Sequence, residues 1–217
     1  MTAPTDELLA LAQDRSHDLT DEAALRGAYN TGPGVTSLAK VADHVHALYR
    51  PYIEASPFAV LATVGETGLD TSPRGDAPGF VRIADAHTLL LPDRRGNQRI
   101  DSLRNIARDP RVALLFLVPG AGEALRVNGT ARISASPALC AEFMANGQAP
   151  ASVMVISVTS VFFQCARAIK RSQLWAAPAH APDLPSPGSI LQCLSQAAVD
   201  GQAYDDALQA RQNATLY

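Results

Sequence analysis

The stretch richest in groups able to do chemistry is LLLPDRRGNQRIDSLRNIARD, residues 89–109. An apolar run ends at Pro92, a turn passes through Asp93 and Gly96, and a helix is expected to begin near Asn97 or Gln98. The first N–H groups of a helix lack intrahelical partners and carry partial positive charge, so a compact anion such as phosphate is favoured there. Arg94, Arg95 and Arg99 flank that start and can add forked, charge-assisted hydrogen bonds. The same residues also suit a plain surface helix whose arginines lie over its flanks. A second stretch, TSPRGDAPGFV at 71–81, puts Pro73 and Gly75 where they should break a strand ladder. Its Arg74 and Asp76 either face a ligand or pair with one another. A third stretch, FFQCARAIKRSQLW at 162–175, sets Arg167, Lys170 and Arg171 near Trp175, the only tryptophan. Cations beside an indole suit a ligand with a ring and a phosphate, and equally suit packing or a subunit contact. Arg126, in the alternating run ALRVNG, faces either solvent or a groove.

Other chemistries find less support. His44 and His46 stand two apart on an expected helix and so point in different directions, which speaks against a metal pair. Neither a Ser-His-Asp nor a Cys-His arrangement stands out, and the GxGxxG, Walker A and HExxH signatures are absent. No catalytic residue and no metal ligand is assigned. Three cysteines, Cys140, Cys165 and Cys193, exclude a closed disulfide framework and suit a reducing cytoplasm. The acidic start lacks a basic n-region and an apolar h-region, and no apolar run approaches the length of a membrane span, so the expected location is cytoplasmic with no membrane partner. Net charge is −3, all of it in residues 176–217, whereas residues 94–111 hold six arginines against two aspartates. A local basic spot in a neutral chain fits a compact anion better than a polyanion, which argues against nucleic acid as partner.

The elements that must carry these groups follow from periodicity. Residues 1–30 read as one short helix, and 37–49 as a helix ended by Pro51. Strands are expected at 58–64, 69–72, 80–84, 88–91, 112–118, 124–133 and 152–165. Single helices fall between them at 99–108, with Ile100, Leu103 and Ile106 inward, and at 137–146. A Pro-rich linker at 177–189 leads to two helical stretches. Short strands joined by tight turns predict a mainly β fold, a closed or nearly closed antiparallel barrel with peripheral helices. The expected division is an extension over 1–35, the barrel domain over 36–175 and a C-terminal linker with helices over 176–217.

Taken together, LATVGETGLDTSPRGDAPGFVRI, TLLLPDRRGNQRIDSLRNIARDPRVALLF, LRVNGTARI and QCARAIKRSQLW resemble the pyridoxamine 5′-phosphate oxidase-like, FMN-binding split-barrel family. The resemblance spans about residues 36–175 and is closest to a branch of FMN-dependent enzymes of unknown substrate. It implies a split barrel, a homodimer, FMN at the dimer interface and an oxidoreductase acting on a small molecule. Two alternatives go with it: a non-catalytic FMN carrier or sensor, and a reductase using a deazaflavin. Carried over by position, Ser72, Pro73, Arg74, Gly75 and Asp76 lie along the flavin ring, and Leu91 and Pro92 meet the ring or ribityl chain. Asn97 and Arg99 hold the phosphate. Arg126 sits on the following strand, and Phe163, Arg167 and Arg171 come from the partner subunit. The chain departs from true pyridoxamine phosphate oxidases at SPRGDAPG, where they have an RxVLLK-type strand, and it lacks their C-terminal Arg-His pattern, so only flavin and fold are carried over.

Overall fold

A computed structural model describes residues 6–29, 32–96, 98–176 and 184–216. The chain divides into two units, residues 1–40 and 41–217. The first holds α1 (Asp6–Gln13), α2 (Glu22–Ala28) and α3 (Val35–Ala39). Asp21 caps α2 by accepting from the N–H of Ala24, so the expected single N-terminal helix is broken by a new start signal.

The expected helix over 37–49 forms only at its start, where α3 runs to Ala39, and does not continue into the second unit. Residues 41–49 follow an irregular path, tied down where Ala42 and Val161 exchange backbone hydrogen bonds and where Val45 N–H donates to Ala86 O. Pro51 does not end a helix but opens one, α4 (Arg50–Ala55), where its missing N–H costs nothing. The strands are β1 (Phe58–Gly65), β2 (Gly68–Gly75), β3 (Arg82–Asp85), β4 (Thr88–Pro92), β5 (Arg111–Leu117), β6 (Ala124–Ser134) and β7 (Val153–Gln164). Between them lie α5 (Asp101–Arg108) and α6 (Pro137–Ala141), and after them α7 (Arg167–Ser172), α8 (Pro187–Leu194) and α9 (Gly201–Ala214). Helix α6 stops at Ala141, short of the expected 146, and a small turn through Asn146 and Gly147, both at positive φ, follows it.

All seven strands join one antiparallel sheet in the order β2-β1-β5-β6-β7-β4-β3. Alternation along β1 and β5 sends Ala59, Leu61, Val112, Leu114 and Phe116 to one face. Leu89, Leu91, Leu125, Val127, Met154, Ile156 and Val161 join them in a single core. A sheet buried on one concave face must curl, and β6 supplies a kink: its register shifts between Asn128 and Gly129. Any side chain at Gly129 would run into Ser157 O, so the crossing of β6 and β7 requires glycine.

The curl brings strands at opposite ends of the sheet order together without pairing them. Arg74 on β2 bonds Asp93 just beyond β4 at 2.8 Å, and Arg94 bonds Asp76 just beyond β2 at 2.7 Å. The barrel is therefore split, and these two ion pairs cross the split. Pro73 and Gly75 do not interrupt the ladder as expected; β2 pairs with β1 through both, opposite Val60 and Phe58. Pro73 is tolerated because β2 is an edge strand, whose other side needs no N–H.

Candidate functional site

The second half of β2, the exit of β4 and the start of α5 surround a cleft of about 950 Å³. Its walls are residues 70–75, 92–96, 98–103 and 148–151, with Phe80. Ser72, Pro73, Arg74, Gly75, Pro92 and Arg99 all line it, so two sequence stretches separated by β3 and β4 meet there. Leu91 is fully buried in the core one residue behind the wall. Asp76 is not a lining residue; its side chain is 6% exposed and held by Arg94. Asn97 lies outside the described residues. Arg126, Phe163, Arg167 and Arg171 do not line this cleft. Arg126 lies exposed on β6 over the Phe162 ring, 4.8 Å from its centroid, and Arg167 and Arg171 are exposed on α7.

Helix α5 begins at Asp101, later than the expected start near Asn97 or Gln98 and two residues inside the expected 99–108, so Arg99 stands in the loop before it. Ile100, expected inward, is half exposed and sits at the N-cap position with φ 52 and ψ 24. Gln98 is also left-handed, at φ 58. Asn105 takes the inward place instead, its Nδ2 donating to Thr63 Oγ1 at 3.0 Å inside the barrel. Nothing caps α5 by a side chain, and its first intrahelical bond runs from Arg104 N to Ile100 O. The N–H groups of Asp101, Ser102 and Leu103 have no partner within the helix, and all three residues line the cleft. A left-handed residue followed by a right-handed one turns successive N–H groups toward a common point, the arrangement of an anion-binding nest.

Charge around the cleft is mostly compensated. Of the six arginines over 94–111, Arg94, Arg99, Arg108 and Arg111 pair with Asp76, Asp101, Glu66 and Asp109. The Asp101 carboxylate raises the Arg99 guanidinium above its ordinary value. Hydrogen bonds from the Arg111 side chain and backbone hold the Asp109 carboxyl down, to about 2. Arg95 is exposed, lines the cleft and makes no ion pair among the described residues. The expected alternative of a local Arg74–Asp76 pair is not what forms: each partner reaches across the split instead.

Sequence reasoning missed Asp93 as a site residue, although it stands between Pro92 and Arg94, and missed Ser102 at the helix start. It also missed the wall at 148–151, QAPA, whose residues carry no chemical signal and reach the cleft only through the fold. His44 and His46, expected to point apart, have ring centroids 6.1 Å apart because their segment is not helical. Among the described residues no three His, Cys, Asp or Glu side chains are grouped to hold a metal ion. No helix among them is long and apolar enough to cross a membrane.

An antiparallel split barrel with an anion-suited cleft between β2, β4 and α5 defines the class. The family profile described as pyridoxamine 5′-phosphate oxidase matches residues 45–165, more than half of the chain, and the chain belongs to that family. Among solved structures, the chain is similar to HupZ of Group A Streptococcus, at 19% identity and TM-score 0.44, over 54% of this chain and 90% of that one. It is also similar to a candidate pyridoxamine 5′-phosphate oxidase from Lactobacillus delbrueckii, at 20% identity and TM-score 0.44, over 56% and 95%. An FMN-binding protein from Syntrophomonas wolfei aligns at 9% identity and TM-score 0.41, over 52% and 82%. No curated protein matches the chain.

Proposed function

We propose that the protein is an FMN-dependent oxidoreductase acting on a small organic molecule, and that it works as a homodimer in the cytoplasm. One observation carries the reading: a single cleft joins an uncapped helix start and Arg95, which makes no ion pair among the described residues, to a wall of Pro73, Pro92 and Phe80. The first part suits a phosphate and the second a flat ring, and the volume lies within the range of small-molecule sites. The residues present thus fit a phosphorylated ring cofactor. Arg95, Arg99 and the N–H groups of residues 101–103 would hold the phosphate, and the family resemblance adds Asn97, outside the described residues, to that role. Ser72 to Gly75 and Pro92 would lie along the ring. Arg74, a cation at that wall, would anchor the ring or favour its reduced form. The bound flavin would supply the electron transfer, and the protein's part is to position the ring and keep water from it.

The second subunit would enter through Phe163, Arg167 and Arg171, which lie outside the cleft of their own chain and would complete the cleft of a partner, with Arg126 on the neighbouring strand. Family membership supports the flavin and the dimer alike. The deciding experiment is an FMN titration followed by flavin fluorescence. Quenching at one FMN per chain is expected, with Arg95→Ala and Arg99→Ala each weakening binding. Colourless protein and unchanged fluorescence would end the proposal. Anaerobic reduction by NADH or NADPH, then reoxidation by candidate acceptors, separates an enzyme from a carrier.

A further inference from the structure

Arg74 and Asp93 form the part of the cleft wall where the two edges of the split meet. Among the described residues the Arg74 guanidinium makes one hydrogen bond, from Nη1 to Asp93 Oδ1 at 2.8 Å, while Nε is buried without a partner. Asp93 alone therefore fixes the guanidinium. Among the described residues Arg74 Nη2, a donor, and Asp93 Oδ2, an acceptor, are also left without protein partners. The side chains are only 16% and 19% exposed, so hydrogen bonds to these charges are weakly screened. The neighbouring Arg94–Asp76 pair, 2.7 Å across the same split, keeps the two edges in place.

A donor and an acceptor left over on the two partners of one ion pair complement a ligand edge that offers an acceptor beside a donor. One such edge on a neutral ring is that of an imide, C(=O)–N–H. We propose that the Arg74–Asp93 pair reads the imide edge of the bound ring, with Arg74 donating to a carbonyl oxygen and Asp93 accepting the adjacent N–H. Asp93 thereby becomes a specificity-determining residue, and the inference rests on the flavin reading, since the flavin ring carries such an edge at N3.

The test compares FMN with its N3-methyl analogue, in which the donor is replaced by a methyl group. The full-length protein should bind the analogue at least about 10-fold more weakly, the size of a lost hydrogen bond to a charged group. Asp93→Asn places an NH₂ where the acceptor stood. It should weaken FMN by about 10-fold and leave the analogue within about 3-fold, so that discrimination disappears. The wild-type comparison decides even where the variant fails to fold. Equal affinity of wild-type protein for both flavins would overturn the inference alone, as would discrimination that survives in folded Asp93→Asn. Failure of wild-type protein to bind either flavin would overturn the cofactor reading, and this inference with it.

Discussion

Arg94 offers the sharpest test of how the barrel is held shut. Its Nε donates to Asp76 Oδ2 at 2.7 Å and its Nη1 to Phe143 O at 2.6 Å, so one side chain ties the end of β2 to the segment after α6. Asp76 is 6% exposed and Arg94 20%. Removing one partner of a buried pair costs about 3–5 kcal/mol, because the other charge is left without compensation. With Arg94 partly reached by water, Arg94→Met should cost about 2–4 kcal/mol. For a chain of this size that corresponds to a fall in Tm of roughly 4–16 °C. Urea unfolding measures the loss directly, and the exposed Arg108–Glu66 pair, 62% and 79% exposed, supplies the control. Arg108→Met should change stability by less than about 1 kcal/mol. Arg94→Lys should recover part of the loss, since one ammonium keeps the charge but lacks the separated Nε and Nη1 donors. If Arg94→Met costs no more than Arg108→Met, the pair does not hold the split and the account of the closure is wrong.

The strain before α5 should be measurable. Ile100 pays about 1–2 kcal/mol for its left-handed backbone and is half exposed, so Ile100→Gly should leave the protein at equal or higher stability by up to about 1 kcal/mol in urea unfolding. A loss above about 1 kcal/mol would mean that the side chain, not the backbone, secures the loop. The Asp109 carboxyl lies at about 2 against an ordinary 3.8, so its contribution to stability is complete above about pH 4 and disappears as pH falls toward 2. Asp109→Asn should flatten acid unfolding in that window, and a carboxyl titration by NMR near 3.8 would contradict the assignment.

The strands were the legible part of the chain. FAVLATV, VALLFLV and SVMVISVTSVFF are β-branched or apolar runs bounded by turn residues, and each folds within two residues of its expected limits. Their signal is local, because a strand with one buried face needs alternation and little else. The helices were misread where tertiary ties outweighed periodicity. Leu38, Val41, Val45 and Leu48 have helical spacing, yet the backbone bonds of Ala42 to Val161 and of Val45 to Ala86 hold the segment against the barrel, and only Val45 is buried. Likewise Ile100 was expected inward from spacing alone. Asn105 fills the inward position because Thr63, buried on β1, needs a polar partner there.

At the site, sequence spacing identified the residue types and not their partners. TSPRGD holds an arginine two residues from an aspartate, which read alone suggests a local pair, and PDRR holds Asp93 next to Arg94. Only the curl of the sheet sets the two segments face to face, so that Arg74 meets Asp93 and Arg94 meets Asp76. Strands at nearly opposite ends of the sheet order share no hydrogen-bond register. A local pair would satisfy charge on one edge, whereas a crossed pair satisfies charge and closes the gap as well. Because three of these four residues, Arg74, Asp93 and Arg94, also line the cleft, the contacts that close the barrel and those available to a ligand are largely the same groups. A substitution at Asp93 should therefore register in ligand discrimination as well as in stability. One at Asp76, which does not line the cleft, should register mainly in stability.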